Sequence, residues 1–322
     1  MSLALSHPLP LSRLIVVIPD TPSPTGLGGI MDSPARSPIH PELSRQSVII
    51  AQVVVAMFMV PVVGLAQRQP PYLADRGDGI PTSMFGDYIR SGELKVYPFY
   101  EYTTGNLEYK PAELGFGLDQ DFRGRFREHE AMFFIAYGVS DRLAVEFESA
   151  LFASARLRKD PGDPSSMPAV LRESGFGDTQ VEARWRWAHE TPSRPEVFSY
   201  LEIDFPFQRD RKIIGTQTWA YKLGTGAIKG FAFGTLTLRA AGEYDEAEKK
   251  VVFGEYALEY LKRLSANWRV YSGIEGDQDE VELILEAQRR LSAHATLKLN
   301  SGFGLTSKAP DFAPEIGVMF RF

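Results

Sequence analysis

A membrane-spanning all-β protein is expected from this sequence, an antiparallel up-and-down β-barrel of about twelve strands behind a signal peptide. Three observations carry that expectation. Apolar and charged residues alternate with period two after residue 92, connections are short after even-numbered segments but long after the first and third, and aromatic residues gather at segment ends. Composition agrees. Aromatics make up 12% and Gly 28 of 322 residues, as many short strands require, while 24% charged residues and a mean hydropathy of -0.17 are too polar for repeated helical spans. Net charge is -6 with dispersed Lys and Arg, so no basic stripe suits nucleic acid. Without Cys, and with five scattered His, no metal or cofactor site is expected.

Residues 1–43 hold eight Pro and one short apolar run, too little to offset ordering entropy. They read as a disordered extension, or as a stretch ahead of the true start, since Met31 stands just before a conventional signal. Residues 44–66 are that signal. Arg45 is the basic flank, an apolar run follows, and Gly64 and Ala66 precede a cut at Gln67. A single membrane anchor is the alternative, opposed by Pro61 and by the lack of a following basic cluster. Residues 67–92, with Pro70, Pro71, Gly77, Gly79 and Gly86, are too long for a simple lead into a strand. A plug of the periplasmic mouth and a disordered tail are both open.

Residues 93–322 are the barrel, with strands expected near 94–103, 126–137, 143–157, 179–188, 197–207, 218–228, 231–242, 251–262, 268–276, 281–291, 294–304 and 312–322. In the fourth, Val181, Ala183, Trp185 and Trp187 oppose Gln180, Glu182, Arg184 and Arg186. In the third, Leu143, Val145, Phe147, Leu151, Ala153 and Leu157 oppose Glu146, Glu148 and Arg156. Alternation alone also fits a soluble sandwich. The connections favour a barrel, because Gly138 to Arg142, Lys229-Gly230, Arg263 to Asn267 and Ser292-Ala293 are tight whereas 104–125 and 158–178 are long. His189 to Glu196 fits least well. With the tight turns periplasmic, Tyr137, Trp185, Trp187, Tyr260, Trp268, Phe320 and Phe322 form one aromatic girdle, and Tyr100, Tyr102, Phe205, Phe207, Trp219, Tyr221 and Phe303 the other. A last strand ending in Phe322 resembles the signal read by the outer-membrane assembly machinery.

The inward parity supplies the candidate lumen lining: Glu146, Glu148, Arg156, Glu182, Arg184, Arg186, Glu202, Asp204, Lys222, Arg239, Glu255, Glu259, Arg269, Glu275, Glu282, Glu286, Lys298 and Glu315. Acids and bases nearly balance. Such a set either seals a narrow lumen as a salt-bridge network or lines a charged constriction. No catalytic residue is expected. His129 has the height and parity of a barrel phospholipase base, but Ala131 stands where the serine would be, and GxSxG and HExxH are missing. Outer-membrane lipid and lipopolysaccharide are the expected surroundings, the assembly machinery a partner through Phe322, and a small solute the cargo.

Several stretches resemble one family. Gly86-Asp87-Tyr88, Leu94 to Tyr102, Tyr137 to Leu143, Gly175 to Thr179 and Gly302 to Asp311 look like the outer-membrane barrels labelled putative meta-pathway phenol degradation proteins, with the resemblance covering residues 70–322. These are turn and strand-end motifs, informative about architecture and poor guides to substrate. The resemblance implies a passive channel or transporter for small solutes, including aromatic or hydrophobic compounds, and brings no catalytic residues. A sealed structural or adhesive barrel is the alternative, with a barrel-embedded lipid hydrolase behind it.

Overall fold

Unbroken alternation builds long strands. The computed structural model describes residues 70–246, 249–277 and 280–322, so the expected extension at 1–43 and signal at 44–66 lie outside the described residues. A hairpin of β1 (Ile80–Pro81) and β2 (Tyr88–Ile89) precedes β3 (Leu94–Tyr109), β4 (Phe122–Gly138) and β5 (Leu143–Arg158). After β6 (Val170–Gly175) come β7 (Thr179–Ala188), β8 (Glu196–Asp204), β9 (Ala220–Phe231) and β10 (Gly234–Asp245). The rest are β11 (Lys250–Arg263), β12 (Trp268–Asp277), β13 (Glu280–Arg290), β14 (Ala295–Gly304) and β15 (Ala313–Arg321).

Twelve of these strands, β3 to β5 and β7 to β15, pair antiparallel with their neighbours, and β15 returns to β3, with Gly317 opposite Phe99 and Phe320 opposite Val96. That pairing closes the ring and leaves it no free edge. Strand β6 lies outside the ring sequence, continuing the sheet along the far half of β5. No helix among the described residues is long and apolar enough to cross a membrane. Strands do the crossing. Leu201, Leu223, Leu238, Phe253, Leu258 and Ile316 are exposed on the outside, while the alternate positions are buried. An apolar surface of this extent is stable against lipid and costly in water.

Tight turns at 139–142, 232–233, 264–267 and 291–294 gather at one end with the Phe322 terminus, and the connections 110–121, 159–178 and 205–219 lie at the other. Both aromatic rims are present. Phe205, Phe207, Trp219, Tyr221 and Tyr244 form a chain of ring contacts at the long-loop end, with centroids 5.2 to 6.4 Å apart. Trp185 and Trp187 pack edge to face at the short-turn end.

Three local expectations are corrected. The hairpin expected at Lys229-Gly230 turns instead at 232–233, and Gly230, still in β9, lies against the Tyr72 backbone, which leaves no room for a Cβ. The loop expected at 104–125 is shorter, spanning 110–121, because β3 runs on to Tyr109 and β4 begins at Phe122. In β5 a bulge at Leu151 changes the parity, with Ala131 paired to Phe152 but Met132 to Ala150. Beyond it Ala153 and Leu157 are buried inside, whereas Arg156, expected in the lumen, is exposed on the outside.

The inverted half of β5 has apolar partners within. Ala153, Ala155 and Leu157 join Leu107, Tyr109 and Phe126 from the ring with Leu114, Met167, Ile213 and Ile214 from the long loops. The loops therefore fold inward across the mouth. Glu173 fastens them by accepting hydrogen bonds from the Lys212 and Ile213 amides, each 2.9 Å.

Candidate functional site

The buried interior of the ring is charged. Arg239 on β10 reaches carboxylates from two further strands, with Glu259 at 2.6 Å, Glu275 at 2.8 Å and Glu255 in contact. Lys222 bridges Glu202 at 2.8 Å and Glu255 at 3.4 Å, and Arg184 pairs with Glu182 and, at 3.5 Å, with Glu146. Strand registry produces this, because Glu146, Glu182, Glu202 and Lys222 stand directly opposite one another across β5, β7, β8 and β9. Arg184 also lies over the Tyr200 ring, 4.9 Å from its centroid. Arg186 pairs with Glu196 at 3.0 Å, and Lys298 with Glu286 at 3.3 Å.

Elsewhere in the lumen acids stand together. Glu315, Glu101 and Glu130 stand side by side on β15, β3 and β4. Glu315 accepts a 2.5 Å hydrogen bond from the Tyr97 hydroxyl. Both carboxylate oxygens of Glu148 and of Glu282 lack a hydrogen-bond partner among the described residues. Asp204 is buried, and Arg269 is half-buried at the short-turn end. Of the expected lining residues, then, Arg156 alone is displaced to the outside, and paired bases and acids without hydrogen-bond partners share the lumen wall.

Alternation gives no signal for the residues that fill the short-turn half, because 70–92 has no periodicity to read. Its Ile80, Met84, Phe85 and Ile89 pack with Tyr97, Phe134, Leu261, Tyr271 and Ile284 of the inner wall. Phe85 stacks on Tyr271 with centroids 4.9 Å apart, and its carbonyl accepts hydrogen bonds from Gln288 at 3.0 Å and Lys298 at 3.1 Å. The Ser83 amide donates to Glu146 at 2.8 Å. Arg76 is held by Glu190 at 3.0 Å and Glu196 at 2.9 Å, and the Lys95 ammonium donates to both Asp87 oxygens at 2.6 and 2.7 Å. Burial by itself pushes the Asp87 carboxyl up, but the Lys95, Lys298 and Arg269 charges outweigh it and hold the carboxyl below its ordinary value. A cavity of about 250 Å³ remains beside this segment, lined by Arg76, Asp87, Arg263, Arg269, Arg290 and Lys298 among others.

Outside the ring, the Tyr100 hydroxyl and His129 Nδ1 are 2.5 Å apart and the Tyr102 ring lies 4.8 Å from that of His129. The imidazole that sequence singles out as a lipid-face base is thus engaged by tyrosines.

No family model matches the chain, and no curated protein matches it. Among solved structures it is similar to the COG4313 outer membrane channel from Pseudomonas putida F1, with 15% identity and a TM-score of 0.54 over 75% of this chain and 99% of that one. Weaker likenesses link it to the translocator domain of autotransporter NalP from Neisseria meningitidis, 12% identical with a TM-score of 0.44, and to the Ralstonia pickettii toluene transporter TbuX, 12% identical with a TM-score of 0.38. Each of these two comparisons covers 72% of this chain and 90% of the other. The shared feature is the fold: this chain is a closed twelve-stranded antiparallel β-barrel, the fold of that outer membrane channel.

Proposed function

We propose that the chain is a passive channel for small solutes, with the long loops outside the cell, the tight turns in the periplasm and residues 70–92 acting as a plug in the periplasmic mouth. The observation that carries this reading is the charged interior of a ring whose outside is apolar. Where those ionisable groups do not close the lumen by pairing, they give water and solutes a polar path through lipid. The inward-folded loops, lined by Tyr109, Leu114, Phe126, Leu157 and Ile213, form an apolar constriction at the outer mouth. That lining suits the small aromatic or hydrophobic compounds implied by the sequence resemblance. On this reading no bond is made or broken, and the assembly machinery reads Phe322, which is 71% exposed at the rim where its backbone amide donates to the Leu94 carbonyl at 2.9 Å.

Liposome uptake tests the proposal. Proteoliposomes holding the chain should admit small aromatic alcohols faster than empty liposomes, and equal rates would refute transport. Orientation is tested separately, since a cysteine at Gly162 should label on intact cells and one at Ala266 should not. A sealed barrel is the second reading, favoured by the coverage of both mouths and by the Arg239 and Lys222 ion-pair networks.

A further inference from the structure

The parity change in β5 puts arginines where sequence alternation does not place them. On the outer face near the long loops, Arg125 and Arg127 of β4, Arg156 and Arg158 of β5 and Arg172 of β6 are all exposed. Registry sets them in direct opposition: Arg125 faces Arg158, Arg127 faces Arg156, and Arg156 faces Arg172. Like charges directly across a strand pair repel. None of the five makes an ion pair or side-chain hydrogen bond with another group of the protein among the described residues, so nothing within the chain offsets that repulsion. Two shallow grooves run between these side chains, one of about 130 Å³ lined by Arg125, Arg127, Arg156 and Arg158, the other of about 260 Å³ reaching Arg172, Ser154 and His129.

Height along the strand narrows the choice of partner. On β4 the outward residues run Tyr137, Ile135, Phe133, Ala131, His129, Arg127 and Arg125, from the short-turn end to the long-loop end. The aromatic group of Tyr100, Tyr102 and His129 marks the boundary, and the first arginine lies one outward position beyond it, about 7 Å along the strand. Below the boundary the wall is apolar, with Phe133, Leu151 and Phe152 facing out. A ligand that fits has several anionic groups at headgroup level and acyl chains beneath them. The cluster faces away from the lumen, which makes a transported solute a poor match.

We infer that this arginine cluster is a binding site for the phosphate groups of the lipopolysaccharide lipid anchor, held by planar guanidinium groups suited to bidentate phosphate contacts. The inference uses the orientation proposed above, with the long loops outside, and is independent of whether the lumen conducts. The bulge at Leu151 gains a role, because without it Arg156 and Arg158 would point into the barrel.

The test uses the refolded barrel in detergent, with bisphosphorylated lipid A and its dephosphorylated form as probes and native mass spectrometry as the readout. The wild-type chain should hold the phosphorylated form about tenfold or more tightly than the other, as one or two charge-assisted phosphate contacts require. Combining Arg127→Ser, Arg156→Ser and Arg172→Ser should abolish the difference, whereas Arg194→Ser with Arg289→Ser, at the other end, should preserve it. Equal binding of the two lipids by the wild-type chain overturns the inference without reference to any variant. It also fails if the triple variant keeps the preference, or if the distant pair removes it as fully.

Discussion

Single residues hold the interior together by charge and by close approach. Arg239 faces three glutamates, so replacing it with Gln leaves acids without their base in a region shielded from solvent. Breaking a buried ion pair from one side costs about 3 to 5 kcal/mol, and the Arg239→Gln barrel should unfold at a lower urea concentration in lipid, with Arg239→Lys partly restoring the midpoint. An unchanged midpoint would mean that the network contributes little. Gly230 acts by close approach. A Cβ there would clash with the Tyr72 carbonyl, so Gly230→Val should push 70–92 away and expose it to added protease, while heat-modifiable migration shows the ring intact. Neither role is legible in the sequence. Gly230 reads as half of a turn, since the segment that lies on it comes from about 160 residues earlier in the chain.

At the level of elements, period two is a good guide along most ring strands, because lipid on one side and charge on the other fix every second side chain. It misleads at β5, where one extra residue inverts the faces, and is silent in 70–92, whose burial depends on the cavity that the other strands create. The docking of 82–89 should respond to acid in one direction. Asp87 titrates below its ordinary value, so its contribution is complete above the unfolded value near 3.9 and is lost only as pH falls through the lower folded one. A fluorine label at Phe85 should therefore report an unchanged environment from neutrality to about pH 5 and release only below about pH 4. Release between neutrality and about pH 5 would contradict the Lys95–Asp87 account. At the closing strand, Phe322→Asp should lower outer-membrane abundance, since it removes a rim aromatic and the proposed assembly signal together, and wild-type abundance would argue against that signal.

The whole molecule is a polar interior in an apolar ring, constricted at both ends by its own chain. Strand number, closure and the two girdles could be read from alternation and loop lengths, because membrane thickness and barrel closure constrain sequence strongly. Which acids find a base and which do not could not, since parity says which residues point inward but not which of them meet. The central claim is that water and small ions pass along that polar interior and that residues 70–92 restrict them. Single-channel recording in planar bilayers, comparing the barrel with a form lacking 70–89, addresses it most directly. The account predicts small currents from the intact chain and larger ones after removal of the segment. Silence from both forms, with insertion verified by heat-modifiable migration, would contradict it and leave a sealed barrel.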